Sequence, residues 1–142
     1  MTSSETQSKV LAKIAEVSTH MEVLVKSETN PFFKNKYVKL EQVQEALAPL
    51  LKEYKVGVAQ PSEGKGITTI VSDLESGEWF AFPSEINSEN LKPQDQMAGV
   101  TYMKRYALVG LFNLQTGDKD DDGNTASGRV QTAATKQEEI DI

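Results

Sequence analysis

The sequence predicts an α+β fold, in which a small antiparallel sheet of three strands, including a hairpin, is backed by helices in the order α-α-β-β-β-α. Two amphipathic periods come first, three stretches rich in β-branched and aromatic residues follow, and a third helical period comes last. The length of 142 residues suits one domain with a short tail. We place the domain at residues 1–124 and the tail at 125–142.

Two helices are predicted from apolar residues spaced by three and four. The first covers residues 8 to about 27, with Ser4 and Gln7 as a capping box just ahead of it. The second covers residues 39–54 and contains Pro49, which removes one backbone hydrogen bond and is expected to kink the helix.

Three strands and a third helix are predicted next. The strands lie at residues 56–60, 66–74 and 78–82, where β-branched and aromatic side chains are frequent. Residues 75–77 read Glu-Ser-Gly, which is the composition of a three-residue hairpin loop with a bulge. Apolar residues then recur with helical spacing from about residue 94 to 114.

The residue inventory excludes several classes of function. The chain has no cysteine and one histidine, so structural zinc, thiol catalysis, disulfides and paired-imidazole metal sites are absent. We assign no role to His20 and expect no cofactor. The N-terminal residues lack a basic and then apolar leader, and no run of about 18 apolar residues occurs. We therefore expect a soluble cytoplasmic protein, without membrane contact.

The net charge of -6 is unevenly distributed along the chain. Residues 1–117 contain 12 basic and 14 acidic residues, a net of -2, whereas residues 118–142 contain 3 and 7, a net of -4. A nearly neutral body leaves room for a local basic surface. The last part of the chain has no aromatic and few large aliphatic residues, so we expect an acidic disordered tail from about residue 125.

Two motifs with known chemistry do not match this sequence, because each has the wrong residue at a required position. A phosphate-binding loop needs GxxxxGK[ST], but Gly66 stands where the hydroxyl residue after Lys65 belongs. A calcium loop needs a bidentate Glu at its twelfth position, and Arg129 stands there. A looser Mg²⁺ site or a nuclease-like cluster of carboxylates in the loop 118–122 stays open, beside the simpler interpretation of a solvated loop.

The segment 30–39 has the composition of a single-strand-binding site. It interleaves three lysines with three aromatic residues and contains no acid. Cations that follow phosphates, with rings that stack on bases, are how single strands are held. The alternative is that Phe32 and Phe33 pack into the core ahead of the second helix. The candidate DNA contacts here are Lys34, Lys36, Tyr37 and Lys39.

The segment 101–106 of the third helix is the second candidate. At about 100° per residue, Tyr102, Arg105 and Tyr106 fall together on one side of the helix. Lys104 falls inside the apolar arc, so it must reach solvent, meet a carboxylate or line a groove. The alternative for the tyrosines is packing against a neighbouring element or subunit. The apolar side is predicted to contain Met97, Val100, Ala107, Leu108 and Leu111.

Three separated stretches of the chain are informative together: NPFFKNKYVKLEQVQEALAPLLKEYKVGVAQ, a strand pair closed by SGEWF, and QDQMAGVTYMKRYALVGLFNLQTGDKDDDGN. In this order and spacing they resemble the ERF family of phage single-strand annealing proteins. The resemblance spans roughly residues 30–124, and YMKRYAL followed by DDDGN is its most specific part. It also extends to the architecture of the eukaryotic annealing mediators.

The resemblance implies an ATP-independent protein that binds single-stranded DNA and pairs complementary strands in phage recombination and DNA repair. It implies a ring or helical homo-oligomer, with a host or phage single-strand-binding protein as a possible further partner. It also implies that the second candidate and the lysines around Tyr37 lie near the DNA groove or the subunit contacts. The residues of the second candidate are Tyr102, Lys104, Arg105 and Tyr106.

Three alternatives differ from annealing in what they predict. A single-strand coating protein protects DNA without pairing it, and a purely structural ring protein assembles without binding DNA. A Mg²⁺-dependent nuclease would use Asp118, Asp120 and Asp122. For the tail, we hypothesise contact with a partner or repulsion of DNA from the wrong face.

Overall fold

Three helices lie on one face of an antiparallel sheet in the computed structural model. The structure describes residues 1–25, 28–29, 36–85 and 92–116, and for residues 28–29 and 36–37 the backbone alone. The elements in chain order are β1 (Thr2–Ser3), α1 (Ser8–His20), β2 (Glu28–Thr29), β3 (Lys36–Tyr37), α2 (Leu40–Tyr54), β4 (Val56–Ala59), β5 (Ser62–Glu63), β6 (Gly66–Asp73), β7 (Trp79–Glu85) and α3 (Pro93–Leu111).

The main sheet has five strands, so the expectation of three is corrected. Its order is β1-β7-β6-β4, and β5 also pairs with β6. Strands β4, β6 and β7 correspond to the three predicted ones, and the two short strands β1 and β5 were not predicted. A separate two-stranded sheet joins β2 to β3. The α+β class and the antiparallel pairing are confirmed.

Strands β4 and β5 form one arm of a hairpin with β6. The register that pairs Val58 with Val71 also pairs Ser62 with Ile67, so the arm keeps its alignment between the two strands. The turn after β5 is formed by Gly64 and Lys65, and Gly64 has φ +60. A positive φ at the first central position of a two-residue hairpin loop favours glycine.

The core lies between the sheet and the helices. Alternate residues of β6 are buried beneath the helices, and β4 contributes Val56 in the same way. Phe112, just after α3, is 0% exposed and is among the largest fully buried side chains. One continuous cluster therefore joins all three helices to the sheet. Its buried members are Val10, Ile14, Val17, Leu24, Val38, Val43, Leu47, Val56, Val71, Leu108, Phe112 and Leu114.

Helix α1 is shorter than predicted and begins differently. It ends at His20, because Met21 has the extended backbone conformation. Gln7 occupies the N-cap position without a side-chain capping bond, so the predicted capping box does not form. The buried carboxylate of Glu78 instead accepts the N–H groups of Lys9 at 2.7 Å and Val10 at 2.9 Å. A residue distant in sequence thus caps this helix.

The turn between β6 and β7 holds a second buried acid. Asp73, 2% exposed, accepts hydrogen bonds from the Ser76 hydroxyl at 2.6 Å and the Glu75 N–H at 3.0 Å. Lys13 of α1 lies 3.2 Å from Asp73 and 2.5 Å from Glu75. With Glu78, these bonds fix the turn to the first half of α1.

Helix α2 ends at the predicted residue, whereas α3 differs from prediction in detail. Helix α2 continues through Pro49 and ends where Lys55 adopts the left-handed conformation at φ 58. Helix α3 ends three residues earlier than expected, and Asn113 has φ 51 soon after it. Met97, predicted on the apolar side, is 71% exposed. The residues at the start of α3 are exposed, and Met103 is the first buried residue of this helix.

Candidate nucleic-acid interface

The exposed side of α3 presents two aromatic rings. Tyr102 and Tyr106 are 53% and 69% exposed, one helical turn apart. Their ring centroids are 5.9 Å apart and the ring planes differ by 14°, so the rings stack in parallel. The same helix buries Met103, Ala107 and Leu108 on its other side. Apolar packing therefore fixes the helix, and the pair of rings is directed outward.

Arg105 connects this aromatic pair to the first candidate segment. Its Cζ lies 5.4 Å from the centroid of the Tyr102 ring, within cation–π range. Its Nη1 donates a hydrogen bond of 3.1 Å to the backbone carbonyl of Val38. Val38 stands between Tyr37 and Lys39, so the structure brings the two predicted segments together at Arg105.

The structure describes only part of the rest of the segment 30–39. Lys34 lies outside the described residues, as do the side chains of Lys36 and Tyr37, whose backbone forms β3. Lys39 is described: its side chain is 42% exposed and its Nζ lies 3.7 Å from Glu41. An exposed ion pair of this length contributes little stability.

Lys104 does not share a surface with the tyrosine pair. It lies two positions from each tyrosine, about 200° around the helix. Its half-buried side chain lines a cavity of about 240 Å³ between α2, β4 and α3, together with Gln44 and Gln60. The Gln60 amide donates to the Lys104 carbonyl at 3.2 Å. The sequence left three alternatives for Lys104, namely to reach solvent, to meet a carboxylate or to line a groove. In the structure Lys104 lines a groove.

The acids with perturbed pKa values lie elsewhere. The hydrogen bond from Ser76 is the largest of the causes that together hold the pKa of Asp73 at about 2, and Lys13 is another. The Thr6 hydroxyl is the largest cause that lowers the pKa of Glu78 below its usual range. A concave region of about 590 Å³ lies beside Lys13 and Asp73. Because these groups are bonded to one another, the cluster is explained by the fold.

The proposed metal cluster cannot be placed. Asp118, Asp120 and Asp122 lie outside the described residues, and so does the expected tail at 125–142. Among the residues that are described, no three His, Asp or Glu side chains converge as metal ligands. Within the same ranges, no helix has both the length and the apolarity needed to cross a membrane.

Two contacts made by the candidate segments were missed by sequence reasoning. The carbonyl of Val38 receives the Arg105 bond, and the amide of Gln60 holds the Lys104 backbone. A backbone carbonyl has no side-chain signature, so nothing in the sequence could indicate the first. The second becomes predictable only once β4 and α3 are known to be adjacent.

Comparison with known proteins identifies the family. The family model of the ERF superfamily matches residues 10–141. The chain belongs to the ERF superfamily. The match covers α1 from its third residue onward and the elements from β2 through α3, including both candidate segments, and confirms the resemblance carried by YMKRYAL and DDDGN. No curated protein and no solved structure matches the chain.

Proposed function

We propose that this ERF superfamily member binds single-stranded DNA and anneals complementary strands without nucleotide hydrolysis, in phage recombination within the bacterial host. The observation that carries the proposal is the hydrogen bond from Arg105 to the carbonyl of Val38. It unites an exposed pair of aromatic rings with a basic segment, and neither alone would make a strand-binding surface.

The aromatic pair supplies a platform for bases. Stacking on an aromatic side chain is worth about 1–3 kcal/mol per base and tolerates any sequence. Tyr106 is the better platform, because Arg105 already lies against the Tyr102 ring and Tyr106 is more exposed. A base held by its face keeps its pairing edge accessible, which an annealing protein requires.

The basic segment supplies the contacts with phosphates. In the sequence, Lys34, Lys36 and Lys39 lie within four positions of Val38, whose carbonyl accepts the Arg105 bond, and no acid lies among residues 30–39. Phosphate contacts grip the backbone without reading sequence, and they weaken with added salt. Two strands bound along aligned surfaces would repel each other less, and base pairing itself then completes the reaction.

Alignment of many short surfaces requires several copies of the chain. One helix face and one ten-residue segment contact only a few nucleotides, so we propose that copies assemble into a ring or helix with the surfaces in series. This assembly is part of the proposal, as is any exchange with a single-strand-binding protein of host or phage. The loop at Asp118–Asp122 has no assigned role in it.

The test is an annealing assay with complementary oligonucleotides and no added nucleotide. Acceleration of pairing, lost at high salt, is the expected result. Slower pairing with tight binding would indicate a coating protein, and cleavage abolished by a chelator would indicate a nuclease. Sedimentation with and without oligo-dT measures the assembly, and a monomer indifferent to DNA would end the proposal.

A further inference from the structure

Among the residues that the structure describes, none pairs with the outer backbone groups of the sheet edge formed by β4 and β5. The Lys55 carbonyl accepts from Leu74, and the Pro61 carbonyl accepts from Thr68, so odd-numbered residues of this arm bond to β6. Hydrogen bonding alternates along an antiparallel strand, which directs the N–H and C=O groups of Val58 and Gln60 outward. Within the described ranges, neither residue has a backbone partner on that side.

The opposite edge of the same sheet is protected. Strand β1 pairs with Phe80 and Ala81 of β7, and the Ser4 N–H bonds to the Trp79 carbonyl. The next outward position of β7 is Pro83, which has no N–H to offer. Proline and a short covering strand are two of the ways by which proteins block edge pairing.

The β4–β5 edge has no such protection from any residue that the structure describes. Residues 56–62 read VGVAQPS and contain no charged side chain. Pro61 faces inward, so its missing N–H weakens a bond to β6 and leaves the outer edge intact. An unprotected edge of this length favours pairing with an added strand.

A cationic niche lies directly beside this edge. Lys104 lines the cavity of about 240 Å³ with Gln44, Gln60 and Val58, so two of the edge residues also belong to its wall. In the described part of the chain, Lys104 has no ion pair with a carboxylate. The other lining residues are Leu47, Ala48, Leu51 and Leu108. A half-buried ammonium beside aliphatic walls calls for an acidic partner flanked by apolar side chains.

We propose that the segment 138–142 of this chain docks at the β4–β5 edge as an added strand, with a carboxylate at Lys104. The segment reads EEIDI and contains three acids and no base. Alternate side chains of a strand share a face, so Glu138 would accompany Ile140 and Ile142 toward the niche. Twenty-one residues separate Thr116 from Glu138, and an extended chain spans about 3.3 Å per residue, so about 70 Å is within reach. The proposal is independent of DNA binding.

Cross-linking of the full-length chain with a carbodiimide tests the docked carboxylate. The reagent condenses a carboxylate with an ammonium held within contact distance, and mass spectrometry locates the amide. We expect a product that joins Lys104 to the segment 138–141, absent from Lys104→Arg, since a guanidinium does not react. Lys65, exposed in the neighbouring hairpin turn, is the internal control. Equal labelling of both lysines would overturn the proposal, as would products from Lys104 to carboxylates in the body of a second copy.

Hydrogen exchange of the Val58 and Gln60 amides tests the added strand. These N–H groups lack a backbone partner within the described ranges, so docking should slow their exchange about tenfold or more. The triple variant E138Q/E139Q/D141N and Lys104→Gln should restore fast exchange, and Lys65→Gln should not. Unchanged exchange in both would overturn the proposal. A loss of DNA affinity in Lys104→Gln without any change in exchange would instead assign the niche to DNA.

Discussion

The turn between β6 and β7 and the exposed side of α3 use polar chemistry in opposite ways. At the turn, Asp73 and Glu78 are buried, and each accepts hydrogen bonds, Asp73 from the turn itself and Glu78 from the start of α1. On α3, Tyr102 and Tyr106 stack on each other in solvent. A perturbed carboxylate is often a sign of a functional site. In this protein such carboxylates connect the sheet to α1, and the candidate binding surface lies elsewhere.

The comparison shows which groups can form new contacts with a ligand without losing contacts within the chain. Every bond at the turn already has its partner within the chain, so a ligand there would have to break one. In the described part of the chain, the exposed ring of Tyr106 and the ammonium of Lys104 have no comparable set of hydrogen bonds or ion pairs with other residues. Binding at these groups creates contacts without losing any.

The largest expected effect separates the buried side of α3 from its exposed side. Phe112→Ala should lower the free energy of unfolding by about 3–5 kcal/mol, because it empties a fully buried site that joins α3 to the core. Urea unfolding measures the loss. Tyr106→Ala, on the exposed side, should change stability by no more than about 0.5 kcal/mol. Similar losses in the two variants would mean that the tyrosine pair is part of the packing.

That division of α3 was predictable in part. The 100° periodicity placed Tyr102, Arg105 and Tyr106 together, because a helix fixes the angle between its own residues. The periodicity also placed Met97 with the apolar side, yet no described element reaches that far along the helix. Angular position is a local property, whereas burial depends on where the neighbouring elements end.

The contacts between distant segments were not predictable. Glu78 caps α1 from 68 residues away, and Arg105 reaches Val38 from 67 residues away. The local signal at Ser4 and Gln7 suggested a cap that a stronger, charged acceptor displaces. Sequence patterns report propensities within a few residues, and these bonds exist only after the sheet has formed.

The second prediction tests the binding side of the comparison. Tyr106→Ala should weaken affinity for oligo-dT about 5-fold to 150-fold, the equivalent of about 1–3 kcal/mol for one lost stack. Tyr106→Phe keeps the ring and should bind as the parent does. Fluorescence anisotropy at fixed salt measures both. Equal affinity of the alanine and phenylalanine variants would remove the stacking role.

The third prediction concerns the connection at Arg105. Arg105→Lys keeps the charge but not the planar group that stacks on Tyr102 while it donates to Val38. We expect about a tenfold loss of oligo-dT affinity in Arg105→Lys and a similar loss in Arg105→Ala, since a hydrogen bond from a charged group is worth about 1.5–3 kcal/mol. Full recovery by lysine would show that Arg105 contributes charge alone.

The fourth prediction concerns the stability that the two buried acids of the turn contribute, and it applies at acid pH. The pKa of Asp73 is about 2 in the folded chain, and that of Glu78 is lowered. Both ordinary values are higher, so the unfolded chain binds more protons and stability falls as pH drops from about 5 toward 2. Above about pH 5 the contribution is fully present. Thermal unfolding across this range should show the decline.

Variants at the two acids sharpen this test. Asp73→Asn and Glu78→Gln should lower the melting temperature at neutral pH and flatten its decline in acid, because the titrating group is gone. Glu63→Gln, an exposed acid at the hairpin tip, serves as the matched control and should leave both unchanged. If the variant that combines Asp73→Asn with Glu78→Gln loses melting temperature in acid as steeply as the parent does, other acids govern acid unfolding.

The smallest expected effect is the contribution of a single surface lysine. Lys39→Gln should leave stability unchanged, because its ion pair with Glu41 is exposed and 3.7 Å long. If Lys39 contacts a phosphate, the slope of log affinity against log salt should become less steep by about 0.7, the value for one contact with a single strand. Lys52→Gln, an exposed lysine of α2, the helix that Lys39 precedes, is the control. Equal slopes for the two variants would place the DNA path away from Lys39, and the surface would then be defined by the tyrosine pair.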